Sequence, residues 1–228
     1  MSAAKARQPR EQSAAAPSPF PPIADYGFLS DCHTGALVSP DGGVGWLCVP
    51  SFDSPSICGS LLDRQAGYFR IGPFGIHHPT SRVYEPGTNI LATTWKTPTG
   101  WIVVRDALTM GAREGEDDIT PHSRPPADDD ADHMLVRTVR CLEGTVEVEL
   151  VCEPVFDYGR IPARWTLFDG GRHAADGTAG GLTVRLQTDL QLGIEGDRVR
   201  ARHVLHPGEE TYCSLSWAHD LESVRDVE

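Results

Sequence analysis

Short runs in which apolar and polar residues alternate recur along the second half of this chain. The run 145–152 places valine or leucine at every second position from 146 to 150, with threonine or glutamate between them. The same period of two returns at 182–187, at 199–201 and at 213–217. Such alternation is typical of strands that have one face on a core and one face in water. Because no sustained apolar stretch of helical period accompanies these runs, the sequence predicts antiparallel sheets.

Turn-forming residues separate the predicted strands. The chain has 23 glycines and 18 prolines among its 228 residues. Asp-Gly-Gly at 41–43 predicts a tight hairpin turn between strands at 36–39 and 46–49, because Asp-Gly readily supplies positive φ angles. A second hairpin is predicted at 97–100, Thr-Pro-Thr-Gly. Many short strands in about 200 residues favour a single all-β domain, a large two-sheet antiparallel β-sandwich.

The composition divides the chain into segments. Residues 1–22 have the Ala, Pro and Ser bias of a disordered tail. Residues 23–220 are the predicted sandwich domain, interrupted at 111–133 by an acidic, proline-bearing run that is predicted to be a surface loop. Residues 221–228, LESVRDVE, are typical of the first turn of a helix and predict the start of a linker helix.

Charge and hydropathy exclude several classes of partner. The formal net charge is −12, and no basic patch offsets it, so we expect no nucleic-acid partner. No stretch reaches the roughly 18 apolar residues of a membrane-spanning helix, so we expect no membrane partner. The N-terminus lacks the apolar core of a secretory signal. Because Cys48, Cys152 and Cys213 lie in apolar runs and no C-x-x-C pair occurs, we expect reduced, buried thiols and a cytoplasmic protein.

The segment 23–62 carries the densest set of motifs. They are YGFLSD at 26–31, TGALV at 34–38, DG at 41–42, WLCVP at 46–50 and FDSPS at 52–56. Further motifs follow: YEPGTN at 84–89, WKTPTGWIVVRD at 95–106, CEP at 152–154 and FDYG at 156–159. In these motifs the chain resembles the N-terminal domain of glycoside hydrolase family 15, the trehalase-like and glucoamylase-like proteins. The resemblance covers almost all of the chain after the predicted tail.

The resemblance implies a β-sandwich that precedes a helical (α/α) barrel. It also implies that the barrel carries two catalytic glutamates and performs inverting hydrolysis of α-glucosidic bonds, in trehalose or in malto-oligosaccharides. Nothing in this sequence resembles the barrel. We therefore expect a non-catalytic domain with no catalytic residue, no metal and no cofactor, and a barrel catalytic domain as its partner, in cis or in trans.

Candidate contact residues lie in the motif-rich segment. Sugar sites combine aromatic faces with carboxylate or amide groups, and the resemblance implies α-glucoside sugars as ligands or the barrel as the neighbour. The candidates for these two roles are Tyr26, Asp31, Trp46, Phe52, Asp53 and Ser54. The alternative interpretation of the same residues is core aromatics with an Asx turn at 53–55. Ser51 and Gly45 depart from the family pattern, which has Arg and Asp there, so any contact made by those charges is missing.

Other functions stay open at this stage. The sequence leaves open a second function. Instead of the non-catalytic domain of a longer glycoside hydrolase, the chain could form a self-standing carbohydrate-binding or scaffold module. A sugar epimerase, suggested by fold-level analogy alone, would need a His and a carboxylate facing one cleft. Asp128, Asp130 and Asp132 imitate the start of a calcium loop, but His133 stands where such a loop has glycine and Val139 where it has glutamate. The acidic run is therefore interpreted as a solvated loop.

Overall fold

A computed structural model describes residues 20–109, 133–168 and 172–218. Most of these residues lie in strands, which are, in chain order, β1 (Gly27–Ser30), β2 (Gly35–Val38), β3 (Gly43–Cys48), β4 (Ser56–Cys58), β5 (Tyr68–Pro73), β6 (Ser81–Tyr84), β7 (Leu91–Lys96), β8 (Gly100–Leu108), β9 (Met134–Gly144), β10 (Val146–Glu153), β11 (Ile161–Pro162), β12 (Arg164–Phe168), β13 (Ala174–Ala179), β14 (Leu182–Thr188), β15 (Gly193–Glu195), β16 (Arg198–Leu205) and β17 (Glu210–Ala218). A 3-10 helix, Ile23–Asp25, precedes β1, and a short helical turn, α1 (Phe156–Gly159), precedes β11. The predicted linker helix and nearly all of the predicted tail and acidic loop lie outside the described residues.

The strands form two eight-stranded antiparallel sheets. Sheet A has the order β1-β2-β3-β5-β10-β16-β15, with β4 paired to β3. Sheet B has the order β12-β13-β14-β17-β9-β8-β7-β6. One apolar core, with members from both sheets, lies between them. The predicted all-β, two-sheet sandwich is confirmed.

Strand alternation decides which side chains enter that core. On β10, Val146, Val148 and Leu150 are buried in the core cluster while Glu147 is exposed, as the sequence predicted. Fully burying a side chain of this size contributes about 1.5–3 kcal/mol. The predicted solvent-facing side of β10 does not continue to Val151, which is also buried. In register Val151 lies between two large side chains, Arg70 of β5 and Arg200 of β16.

Both predicted hairpin turns are present. Between β2 and β3, Ser39 donates its N–H to Gly43 O at 2.7 Å, and Gly42 has a φ of 82°. Between β7 and β8, Thr97 donates its N–H to Gly100 O at 2.8 Å. The hydroxyl of Thr97 also accepts the Gly100 N–H at 3.0 Å. Asp-Gly and Thr-Pro-Thr-Gly therefore close their hairpins where the sequence placed them.

The edge strand β1 of sheet A and the edge strand β6 of sheet B meet along one side of the sandwich. The Tyr84 hydroxyl, at the end of β6, accepts the N–H of Phe28 at 2.7 Å and donates to its carbonyl at 2.9 Å. Asn89 donates to Ser30 O at 3.1 Å. Side chains of sheet B thus bind the outward backbone groups of β1, which would otherwise be free to pair with another chain.

All six cysteines lie among the described residues and are free. The predicted burial of Cys48, Cys152 and Cys213 is confirmed. Burial raises the pKa of the Cys58 and Cys213 thiols to about 12, so both stay protonated at neutral pH.

Two features are absent from the described ranges of the chain. There, no helix is both long enough and apolar enough to cross a bilayer. In the same ranges, no three His, Cys, Asp or Glu side chains come together in a way that could hold a metal ion.

Candidate functional site

An apolar patch lies on the outer face of sheet A, across β1, β2 and β3. In register, Phe28 pairs with Leu37 and Leu37 pairs with Trp46. Phe52, from the connection after β3, lies next to them: a Cβ built on Gly35 would be 2.6 Å from the Phe28 ring and 3.0 Å from the Phe52 ring. Glycine at this position therefore makes room for both rings. We call Phe28, Leu37, Trp46 and Phe52 the aromatic patch.

Two rings of the aromatic patch are exposed to solvent. Phe28 is 49% exposed and Phe52 is 54% exposed, and Leu37 and Trp46 are half-buried. Their neighbours along the strands, Leu29 among them, point into the core. Contiguous exposed apolar side chains make this part of the outer face a candidate contact surface. Phe52 is accordingly not the core aromatic of the alternative interpretation.

Asp31 fixes the turn between β1 and β2 at the border of the patch. Its carboxylate is 1% exposed, and Oδ1 accepts the N–H groups of His33 at 2.9 Å and Thr34 at 2.7 Å. Oδ2 lies 2.9 Å from Nδ1 of His133. The rings of His33 and His133 are 4.5 Å apart between centroids. Asp31 therefore ties the β1–β2 turn to the start of β9.

Removing this carboxylate should destabilise the domain. We expect Asp31→Ala to lower the free energy of unfolding by about 1–3 kcal/mol, because one buried and one partly buried N–H group lose their acceptor. Asp31→Asn keeps one acceptor oxygen and should lose less. Urea unfolding measures both. The control is Asp63→Ala, where an exposed carboxylate accepts one turn N–H, from Gln65 at 3.0 Å; an equal loss at the two sites would contradict the assignment.

Ser51, Asp53 and Ser54 build the turn that presents Phe52. The Ser51 hydroxyl donates to Asp53 Oδ1 at 2.6 Å and lies 2.9 Å from the Ser54 hydroxyl. The Ser51 hydroxyl lowers the pKa of the exposed Asp53 carboxyl. Asp53 does not form an Asx turn with Pro55, because proline has no N–H to donate. The backbone N–H of Phe52 donates to His33 O at 2.9 Å, which joins this turn to the β1–β2 turn.

Tyr26 packs beside Gly45 of β3, and Gly45 is the position at which the family pattern has aspartate. A Cβ on Gly45 would be 3.2 Å from the Tyr26 ring and 3.4 Å from the Ser60 hydroxyl. A side chain at this position would therefore require the tyrosine ring to shift by a few tenths of an ångström. Burial, with the charge of Asp41 second, raises the pKa of Tyr26. Glycine at position 45 thus fits the close packing of the Tyr26 ring and the Ser60 hydroxyl against β3.

The structure sorts the six predicted residues into three groups. Trp46 and Phe52 belong to the aromatic patch, the turn residues 31, 53 and 54 border it, and Tyr26 lies by the adjoining strand. Sequence reasoning missed Phe28 and Leu37, although both lie in the recognised motifs, and the alternation of their neighbours could have placed them on the outer face. It could not have found the partner of Asp31 at residue 133, which is 102 positions away.

Comparison with known proteins identifies the type of domain. A family model described as "Trehalase-like, N-terminal" matches residues 15–124. This chain contains a trehalase-like N-terminal domain. All six predicted contact residues of this domain lie within the matched segment, and His133 lies outside it.

Curated relatives are considerably longer than this chain. The trehalase of Mycolicibacterium smegmatis is 51% identical over 208 residues, which are 88% of this chain and 31% of the relative. The trehalase of Mycobacterium tuberculosis is 50% identical over 206 residues, 88% of this chain and 30% of the relative. The trehalase-like N-terminal domain therefore spans about a third of the lengths of these enzymes. A solved structure, a putative kojibiose phosphorylase from human microbiome, aligns with 86% of this chain and 30% of its own at 10% identity and a TM-score of 0.40, too low to support an argument.

Proposed function

We propose that this chain is the non-catalytic N-terminal sandwich of a glycoside hydrolase of family 15. The activity of the whole protein would be inverting hydrolysis of an α-glucosidic bond, in trehalose or in a malto-oligosaccharide. The observation that carries the proposal is the 51% identity to a trehalase of which this chain spans only 31%. The partner is an (α/α) barrel catalytic domain, in cis or in trans.

The state of the buried carboxylates supports the non-catalytic role. Glycoside hydrolysis needs an acid and a base or nucleophile that face the scissile bond. The described residues contain five buried carboxylates, and each has a bonding partner or an ion pair within the fold. They are Asp31, Asp41, Asp106, Glu153 and Asp176. Groups engaged in this way hold turns and sheets, and their burial keeps them out of contact with a sugar.

The proposed location is the cytoplasm. Five of the six free cysteines are buried, and free buried thiols suit a reducing compartment. We propose no metal and no cofactor for this domain.

Two assays test the proposed function. The purified chain should hydrolyse neither trehalose nor maltose, because the acid and base lie elsewhere. A chimera in which this chain replaces the homologous N-terminal region of the M. smegmatis trehalase should hydrolyse trehalose. Turnover by the isolated chain that disappears in an Asp31→Asn or Asp41→Asn variant would overturn the proposal, and the variants exclude a contaminating enzyme as its source.

A self-standing carbohydrate-binding module is the second candidate, favoured by the exposed rings of Phe28 and Phe52. It requires saturable binding of glucose, maltose or trehalose to the isolated chain. Titration calorimetry measures that binding, which should weaken in Trp46→Ala and Phe52→Ala. Heat signals that do not saturate would remove this candidate and leave the first one unaffected.

A further inference from the structure

We propose that the aromatic patch is the surface on which the catalytic domain packs. The inference rests on the proposed function and adds to it the location of the contact. It also assigns a role to Phe28 and Leu37, which the sequence interpretation did not include. The partner surface is apolar and belongs to the part of the longer protein that follows the sandwich.

The distribution of side chains on sheet A supports this location. Across β1, β2 and β3 the outer face carries Phe28, Leu37 and Trp46 in one cross-strand row. Farther along the same face, Glu149 on β10 forms ion pairs with Arg200 and Arg202 on β16. Charged pairs of this kind suit a face in water. Exposed apolar side chains at that end are separate: Val204 pairs with Glu147, and Phe74 lies under the Arg202 guanidinium, 3.6 Å away. The contiguous aromatic row is at the β1–β3 end of the sheet.

The patch also has the anatomy of a protein interface. Interfaces have an apolar centre enriched in aromatic residues and a polar rim. Here the rim consists of the turns at His33 and Asp53, which border Phe52. The hydrogen bonds of Asp31, Ser51 and Tyr84 hold the patch residues in place before any partner binds. Such preorganisation reduces the entropy that association would cost.

The relatives indicate what covers the patch. About 70% of the M. smegmatis trehalase lies outside the region that matches this chain, so a much larger body of protein must accommodate the sandwich. A second copy of this chain fits less well, because each copy carries a net charge of −12 and two copies repel each other. A sugar also fits less well, since a sugar site needs free polar groups that converge on the ligand. Asp31 is 1% exposed and committed to its turn, and the exposed Asp53 carboxylate accepts the Ser51 hydroxyl within its own turn.

The test compares the isolated chain with the M. smegmatis chimera. Hydrogen exchange should be slower for residues 26–54 in the chimera than in the isolated chain, and unchanged for residues 164–168 on sheet B. Phe28→Ser combined with Phe52→Ser should shorten the half-life of the chimera's trehalose hydrolysis at elevated temperature by about tenfold, the effect of losing one well-packed contact. The matched control is Leu142→Ser, an apolar side chain 51% exposed on β9 of sheet B, which should leave the half-life unchanged.

Each outcome bears on one proposal. The double variant should unfold in the isolated chain at nearly the wild-type temperature, which separates lost docking from lost folding. An active chimera with equal half-lives for the patch and control variants would overturn the docking surface and leave the proposed function intact. An inactive chimera that still protects residues 26–54 would support the docking surface and contradict the shared activity. Saturable trehalose binding to the isolated chain, lost in Phe52→Ser, would overturn docking in favour of a sugar platform.

Discussion

Arg137→Met should lower the free energy of unfolding by about 3–5 kcal/mol, because it leaves the buried charge of Asp106 without its partner. The two side chains are both 0% exposed, and Nε of Arg137 lies 2.7 Å from Oδ1 of Asp106. An unpaired carboxylate in such an environment is more costly than the lost hydrogen bond alone. Urea unfolding followed by tryptophan fluorescence measures the loss.

The same guanidinium also connects the two sheets. Arg137 is on β9 of sheet B, and its other nitrogens donate to Phe69 O of sheet A at 2.9 Å and to Gly42 O in the turn between β2 and β3. Its cation lies 5.1 Å from the centre of the Phe69 ring. Burial by itself would lower the pKa of Arg137, but the charge and hydrogen bond of Asp106 raise it above its ordinary value. The guanidinium is therefore charged in the core, and its hydrogen bonds are accepted by Asp106 on one side and by the carbonyls of Phe69 and Gly42 on the other.

Two further variants separate the charge effect from general damage. Arg160→Met removes an exposed guanidinium 3.3 Å from Asp157 and should change the stability by no more than about 1 kcal/mol. Arg137→Met combined with Asp106→Leu removes both charges and should recover a large part of the loss. A double variant as unstable as Arg137→Met would show that the strand contacts to Phe69 and Gly42, rather than the orphaned carboxylate, carry the effect.

This ion pair illustrates what the sequence could and could not predict about the fold. Period-two alternation is a local property, so β10 and β14 and the two hairpins were predictable from their own residues. Alternation also places Arg137 on the core face with Leu135 and Val139. Its partner Asp106 is 31 positions earlier on another strand. No local pattern indicates such a pairing, because it depends on the register between β8 and β9.

The candidate site divides in the same way. Trp46 and Phe52 were named from the sequence as aromatic residues of the motif-rich segment, but the choice between core and surface needed the structure, which places both on the outer side. The turn role of Asp31 fits the general preference of Asp for side-chain to backbone hydrogen bonds. Its contact with His133 and the exposure of Phe28 were not predictable, since both depend on which strands lie next to each other and on what covers the outer face. Strand β5 marks the same limit, because all six of its residues are buried and it has no wet face.

Gly43→Ala should lower the free energy of unfolding by about 3 kcal/mol, the upper part of the range for overpacking a filled site. A Cβ at Gly43 would overlap the ring and the hydroxyl oxygen of Tyr68. Tyr68 is 2% exposed, and its hydroxyl donates to the carboxylate of Asp41. Burial raises the pKa of Tyr68 well above its ordinary value, so the hydroxyl keeps its proton for this bond. Displacing the ring therefore also breaks a buried hydrogen bond at the β2–β3 hairpin.

Gly193→Ala is the matched control for this prediction. Gly193 is on β15 of the same sheet, and the nearest atom to an added Cβ is Arg200 O at 3.8 Å, so the loss should stay within about 0.5 kcal/mol. A double-mutant cycle that combines Gly43→Ala with Tyr68→Leu identifies the cause of the lost stability, because substitutions at residues in direct contact have non-additive effects. If the Tyr68 ring is the obstacle, Gly43→Ala will cost much less in the Tyr68→Leu background than in the wild type. An equal cost in both backgrounds would instead place the strain in the backbone of the hairpin, where Gly43 donates its N–H to Asp41 Oδ1 at 3.2 Å.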